Sequence, residues 1–150
     1  MACHRECHPG FATRSIELPV NHTGSPIYDR KWAAAIKRER EALPQECSLW
    51  QVSVESEADA NPVVIRVKPS KGASKNPGRV YFFSEDGQIT SEPAQSVHRQ
   101  NDGSYLITGT RSDFSPKGRT TLSGTLVASK GWAEGTLLPA FRVNPAYPSQ

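Results

Sequence analysis

From Trp50 onward, apolar residues recur at every second position in short runs, and each run ends in a turn signal. "LWQVSVES" sets Trp50, Val52 and Val54 on one side and Gln51, Ser53 and Glu55 on the other. "NPVVIRVKP" repeats the pattern with Val63, Ile65 and Val67. A period of two belongs to a strand with one buried face, because successive side chains of an extended chain point to opposite sides. "RVYFF" is a short aromatic strand ended by Glu85-Asp86-Gly87. "QNDGSYLITGT" opens on Asp102-Gly103, a favoured tight-turn pair, and continues through Tyr105 and Ile107. "TTLSGTLVAS" turns Leu122, Gly124 and Leu126 inward, and a final strand runs from Trp132 into "TLLPAFRV". The connections "EADAN", "SKGASKNPGR" and "RSDFSPKGR" are rich in turn-forming residues. Short strands with turn signals roughly every ten to fifteen residues predict an antiparallel β-sandwich over residues 47–143.

The chain ahead of this region has a different texture. "FATRSIELPV" (11–20) alternates loosely, with Ile16, Leu18 and Val20 on one side, as a half-buried strand does. "NHTGSP" breaks it. Ser25-Pro26 can open a helix, the serine as N-cap and the proline at the first helical position, where its missing N–H costs nothing. The helix is expected from Ile27 to Leu43, with Trp32, Ile36 and Leu43 on one stripe, Ala35 beside them and Pro44 as the stop. So narrow a stripe predicts packing against something larger. The tail 144–150 is expected to fray or to serve as a linker.

Composition narrows the function classes. Hydrophobic residues make up 36% of the 150, and 12 prolines and 11 glycines mark many turns. The net charge is +3, and the charges are interspersed: "DRKWAAAIKRERE" holds five positives and three negatives. A solvated helix face explains that stretch better than a basic binding surface, so no nucleic-acid partner is expected. No run approaches the ~18–20 apolar residues of a membrane helix. The first fifteen residues carry charges and histidines in place of an apolar signal segment, so the chain as written is expected to remain cytoplasmic.

The concentration of chemistry-bearing side chains lies at the start, in Cys3-His4-Arg5-Glu6-Cys7-His8-Pro9. With three cysteines, one internal pair at most can form, and spacing points to Cys3 with Cys7, leaving Cys47 alone. Cysteines at i and i+4 can approach within disulfide reach in a tight loop. Such a ring is strained and easily reduced, and His4, Arg5 and His8 favour thiolate beside both sulfurs. Two thiols and two imidazoles also suffice for tetrahedral zinc, although adjacent Cys-His pairs do not easily point at one ion. With Met1 removed, His4 would stand third from a free amine, an arrangement that wraps copper(II) or nickel(II). Haem attachment wants C-x-x-C-H, one residue shorter than the spacing here. An inert chain end completes the alternatives.

A resemblance bears on this choice. "CHRECHPGFATRSIELPV" resembles a segment of the periplasmic N-terminal region of the DsbD/ScsB-type thiol:disulfide interchange proteins, where Cys-x-x-x-Cys, a small residue and proline lead into a strand ending in "LxLPV". "KWAAAIKREREALP", "WQVSVE", "RVYFFSEDGQITSEPAQSV" and "SPKGRTTLSGTLVASKGW" resemble later pieces of that region in the same order. The resemblance implies immunoglobulin-like β-sandwiches and a periplasmic location. It also implies a cysteine pair, here Cys3 and Cys7, that passes electrons to redox partner proteins by thiol–disulfide exchange, with no metal or cofactor. Residues 1–24 would then end a first immunoglobulin-like domain, 25–46 would link, and 47–143 would be the second, cysteine-free domain of such a region, in which Cys47 has no counterpart and is expected to be an ordinary small hydrophobe. A homodimer in which copies exchange strands stays open.

The rival expectation is a non-catalytic sandwich that binds a protein partner through a strand edge or through Tyr81, Phe82, Phe83 and Trp132. For these aromatics, core packing is the simpler role. Asn21-His22-Thr23 is a glycosylation triplet by pattern only. His98 stands alone among polar residues, and Asp86, Asp102 and Asp113 lie in turns near Gly or Ser, as turn-formers do. No Ser-His-Asp set, phosphate-binding glycine loop or carboxylate pair supports hydrolase or nucleotide chemistry.

Overall fold

The computed structural model describes residues 13–17, 24, 29–135 and 138–149. The chain divides into two compact units, Met1–Arg40 and Glu41–Gln150. The pair Cys3/Cys7, the triplet at 21–23, Ser25-Pro26 and Leu18 to Val20 lie outside the described residues. Of the strand expected over 11–20, residues 13–17 are described; they form no strand, and Ile16 is 80% exposed.

The helix α1 spans Arg30–Ala42. Its cap is Asp29; the expected Ser25 lies outside the described residues. The Asp29 carboxylate accepts from the N–H groups of Lys31 (2.8 Å) and Trp32 (3.3 Å), and its carbonyl takes the first helical bond from Ala33. A side-chain acceptor two and three residues before those amides satisfies donors that have no partner inside the helix. No residue of α1 is buried. Trp32, Ile36 and Leu43 are each about half exposed, in contrast to the packed stripe that their spacing predicted.

Among the described residues the second unit is a seven-stranded sandwich: β1 (Trp50–Val54), β2 (Val63–Pro69), β3 (Val80–Ser84), β4 (Ser96–Arg99), β5 (Tyr105–Gly109), β6 (Gly124–Ala128) and β7 (Ala140–Val143). Every named pairing is antiparallel, and the strands form one sheet of order β1-β2-β5-β4 and another of order β3-β6-β7. With the strands lettered A to G in sequence, these sheets read ABED and CFG, the order of constant-type immunoglobulin domains. The alternations place the core as expected. Val63, Ile65 and Val67 of β2 and Leu122 and Leu126 around β6 are at most 1% exposed. The Phe82 ring packs over Gly124, where a Cβ would collide with that ring and with the Phe83 carbonyl.

Three details differ from the sequence expectation. Strand β4 was not among the expected strands. Its exposed residues, Ser96, His98 and Arg99, give no apolar alternation, yet it pairs with β5 from Ser96↔Thr108 to Arg99↔Tyr105. Trp132 belongs to the β6–β7 connection rather than to a strand. Gly131, at φ 83°, turns the chain, and the indole enters the core at 0% exposure. There it stands edge-on to Trp50 (5.0 Å) and Phe141 (5.1 Å), and its Nε1–H donates to the Leu126 carbonyl. The segment after β7 is docked: the Tyr147 N–H donates to Thr120 O, the Leu122 N–H donates to Pro145 O, and the Tyr147 ring is buried.

Candidate functional site

Of the sequence-derived site residues, Cys3 and Cys7 lie outside the described residues. Cys47 is a free, half-buried thiol packed against the core just before β1. No group of three or more His, Cys, Asp or Glu side chains among the described residues could hold a metal. No described helix is long and apolar enough to cross a membrane.

The four aromatics of the rival expectation separate by strand alternation. Phe82 and Trp132 are core residues, at 1% and 0% exposure. Tyr81 and Phe83 flank Phe82 on β3 and therefore emerge on the outer face of the β3-β6-β7 sheet, with ring centroids 4.6 Å apart. Register extends this face. Tyr81 stands opposite Val127, which stands opposite Ala140; Phe83 stands opposite Thr125, which stands opposite Arg142. An aromatic pair on β3 thus continues through Val127 and Thr125 to a polar border on β7.

That border is ordered. The Arg142 guanidinium donates from Nε (3.1 Å) and Nη2 (3.2 Å) to the two oxygens of Glu85, a fork matched to a carboxylate. The Arg142 backbone N–H donates to the Gln45 carbonyl, and Glu46 makes a parallel bridge with Arg142, so residues 45–46 cover the edge of β7. A cleft of about 860 Å³ lies between this segment and the sheet, lined by Pro44, Glu46, Glu85, Ser123, Thr125 and Arg142 among others.

Two other polar clusters are structural. At one end of the sandwich the fully buried Gln88 side chain donates to Asp86 and to the Thr121 carbonyl, and its Oε1 accepts from the Tyr147 hydroxyl at 2.7 Å. Arg111 donates to that hydroxyl, to Ser115 Oγ and to Ala60 O, which ties the β1–β2 and β5–β6 connections to the tail. On the outer face of the other sheet, Arg66 bonds Glu55 and Ser104. The hydrogen bond and charge of Glu55 hold the Arg66 guanidinium above its ordinary value. Asp102 accepts from the hydroxyl (2.6 Å) and the backbone N–H (3.0 Å) of Ser104, which together hold its carboxyl below the usual range. Asp102 is thus the turn-former the sequence suggested, and His98 is exposed on β4.

Strand order and outer-face chemistry define the class: an immunoglobulin-like β-sandwich with an aromatic patch on its three-stranded sheet. No protein-family model, curated protein or solved structure matches the chain.

Proposed function

We propose that this chain is part of the N-terminal region of a DsbD/ScsB-type protein-disulfide reductase, with Cys3 and Cys7 as the exchanging pair. The observation that supports this reading is the strand order of residues 50–143, ABED against CFG, the architecture that the resemblance implied for the region following the pair. In the reaction, one thiolate attacks a sulfur of the partner's disulfide and displaces the other as thiolate. The second cysteine of the pair then attacks the mixed disulfide. The partner leaves as a dithiol, and Cys3 and Cys7 become a disulfide, so two electrons pass outward. By the resemblance, the pair is re-reduced by the membrane-embedded part of such a reductase.

The test is the midpoint of the pair, read by alkylation and intact mass in graded glutathione buffers, with Cys47→Ser as background. A two-electron transition well above about −300 mV, the range below which structural disulfides lie, is the expected result. Failure of an intramolecular disulfide to form, or independent titration of the thiols, would overturn it.

A second reading, a non-catalytic protein-binding module, is favoured by the exposed Phe83 ring beside a half-buried Tyr81 on the outer face of β3. Cys3→Ser separates the two: it abolishes exchange under the first and leaves partner binding unchanged under the second.

A further inference from the structure

The ladder between β3 and β6 leaves one side of β3 open in a defined pattern. Ser129 N–H bonds Arg79 O and Glu85 N–H bonds Ser123 O, so the odd-numbered residues of β3 face β6. In an antiparallel ladder the alternate residues then turn their N–H and C=O the other way. These are Val80, Phe82 and Ser84. At Phe82 both groups are met by a single side chain. Its N–H donates to Gln95 Oε1 at 3.1 Å, and Gln95 Nε2 donates to its carbonyl at 2.7 Å. A carboxamide has the donor and acceptor of a peptide unit, and here it takes the place that a neighbouring strand's backbone would take.

The other sheet edges are managed differently. Residues 45–46 cover β7, β4 is four residues long and carries exposed His98 and Arg99, and β1 turns the polar Gln51 and Ser53 outward. Edge strands invite addition of another strand unless they are short, charged or covered. Val80–Ser84 carries no charge and shows two aromatic rings on its outer face.

We propose that β3 is the edge through which two copies of this chain pair, and that the Gln95 amide is the intramolecular competitor that holds β3 closed. The occupant follows from the strand's own pattern. Antiparallel pairing centred on Phe82 sets Phe82 against its own copy as a hydrogen-bonded pair, using the groups that Gln95 now holds. Val80 then meets Ser84 of the second copy, and Tyr81 meets its Phe83. Each contact is returned by symmetry, so the interface closes as a two-fold dimer. On the outer face two aromatic pairs merge into four adjacent rings, the cross-strand arrangement that stabilises sheets.

Sedimentation equilibrium of the full chain tests this, comparing wild type, Gln95→Ala and Gln95→Glu. The glutamate variant keeps the shape but turns an acceptor toward the Phe82 carbonyl, so it serves if the alanine variant fails to fold. The expected result is an association constant at least tenfold above wild type, about 1.4 kcal/mol. It should return to the wild-type value when Tyr81→Lys and Phe83→Lys are added. Amide exchange at Phe82 should be slow in the dimer. The proposal fails if both Gln95 variants stay as monomeric as wild type, or if their association is indifferent to the two lysines.

Discussion

Asp102 shows how one turn residue ties folding to pH. Its carboxylate accepts both donors of Ser104, which lowers its pKa in the folded chain. A depressed acid contributes stability that is present above its unfolded pKa and is lost as pH falls through the lower folded value. The stability gap between wild type and Asp102→Asn, measured by urea melts, should therefore be constant above about pH 5 and shrink below about pH 4, near the ordinary aspartate value. A gap that widens toward acid would contradict this. The sequence marked Asp102-Gly103 as a turn because that pair has a local signature. Nothing local marked Gln88, Gln95 or Arg111, each of which has a partner distant in sequence: Tyr147 is 59 positions from Gln88 and 36 from Arg111, and Phe82 is 13 from Gln95.

Among the elements, the segment after β7 departs most clearly from expectation. "NPAYPSQ" carries the composition of a frayed end, yet Tyr147 is buried and its hydroxyl completes the hydrogen bonding of a fully buried glutamine. Tyr147→Phe leaves Gln88 Oε1 without that donor and removes an acceptor from Arg111. It should cost about 1–3 kcal/mol, the usual penalty for a buried polar group left unmet. Guanidinium melts of the single variant check this, and a change below a few tenths would show that the tail is not part of the cooperative unit. Strand β4 was hidden for the opposite reason. An edge strand with Val97 as its one partly buried apolar residue has no alternation to detect, and it is a strand because β5 offers a free side to pair with.

For the molecule as a whole, stability concentrates where the two sheets meet around Trp132. Its indole touches Trp50 and Phe141 edge-on, while Trp50 Nε1–H donates to the Trp132 carbonyl at 2.6 Å. Trp132→Ala should lose about 3–5 kcal/mol, a large share of the 5–15 kcal/mol typical of a domain. Trp132→Phe should lose less. A lower urea midpoint with an unchanged slope is the expected signature. Alternation by itself determined which residues are inside: Val63, Ile65, Val67, Leu122, Gly124 and Leu126 are buried because an extended chain with one apolar face must cover it. Sheet membership was decided by tertiary structure, because β2 pairs with β5 and β3 with β6 across long intervening stretches that carry no pairing code. The same holds for the aromatic strand. The sequence "VYFF" states only that three rings are adjacent, whereas packing between the sheets buries Phe82 and leaves Tyr81 and Phe83 for the surface, with Gln95 closing the edge between them.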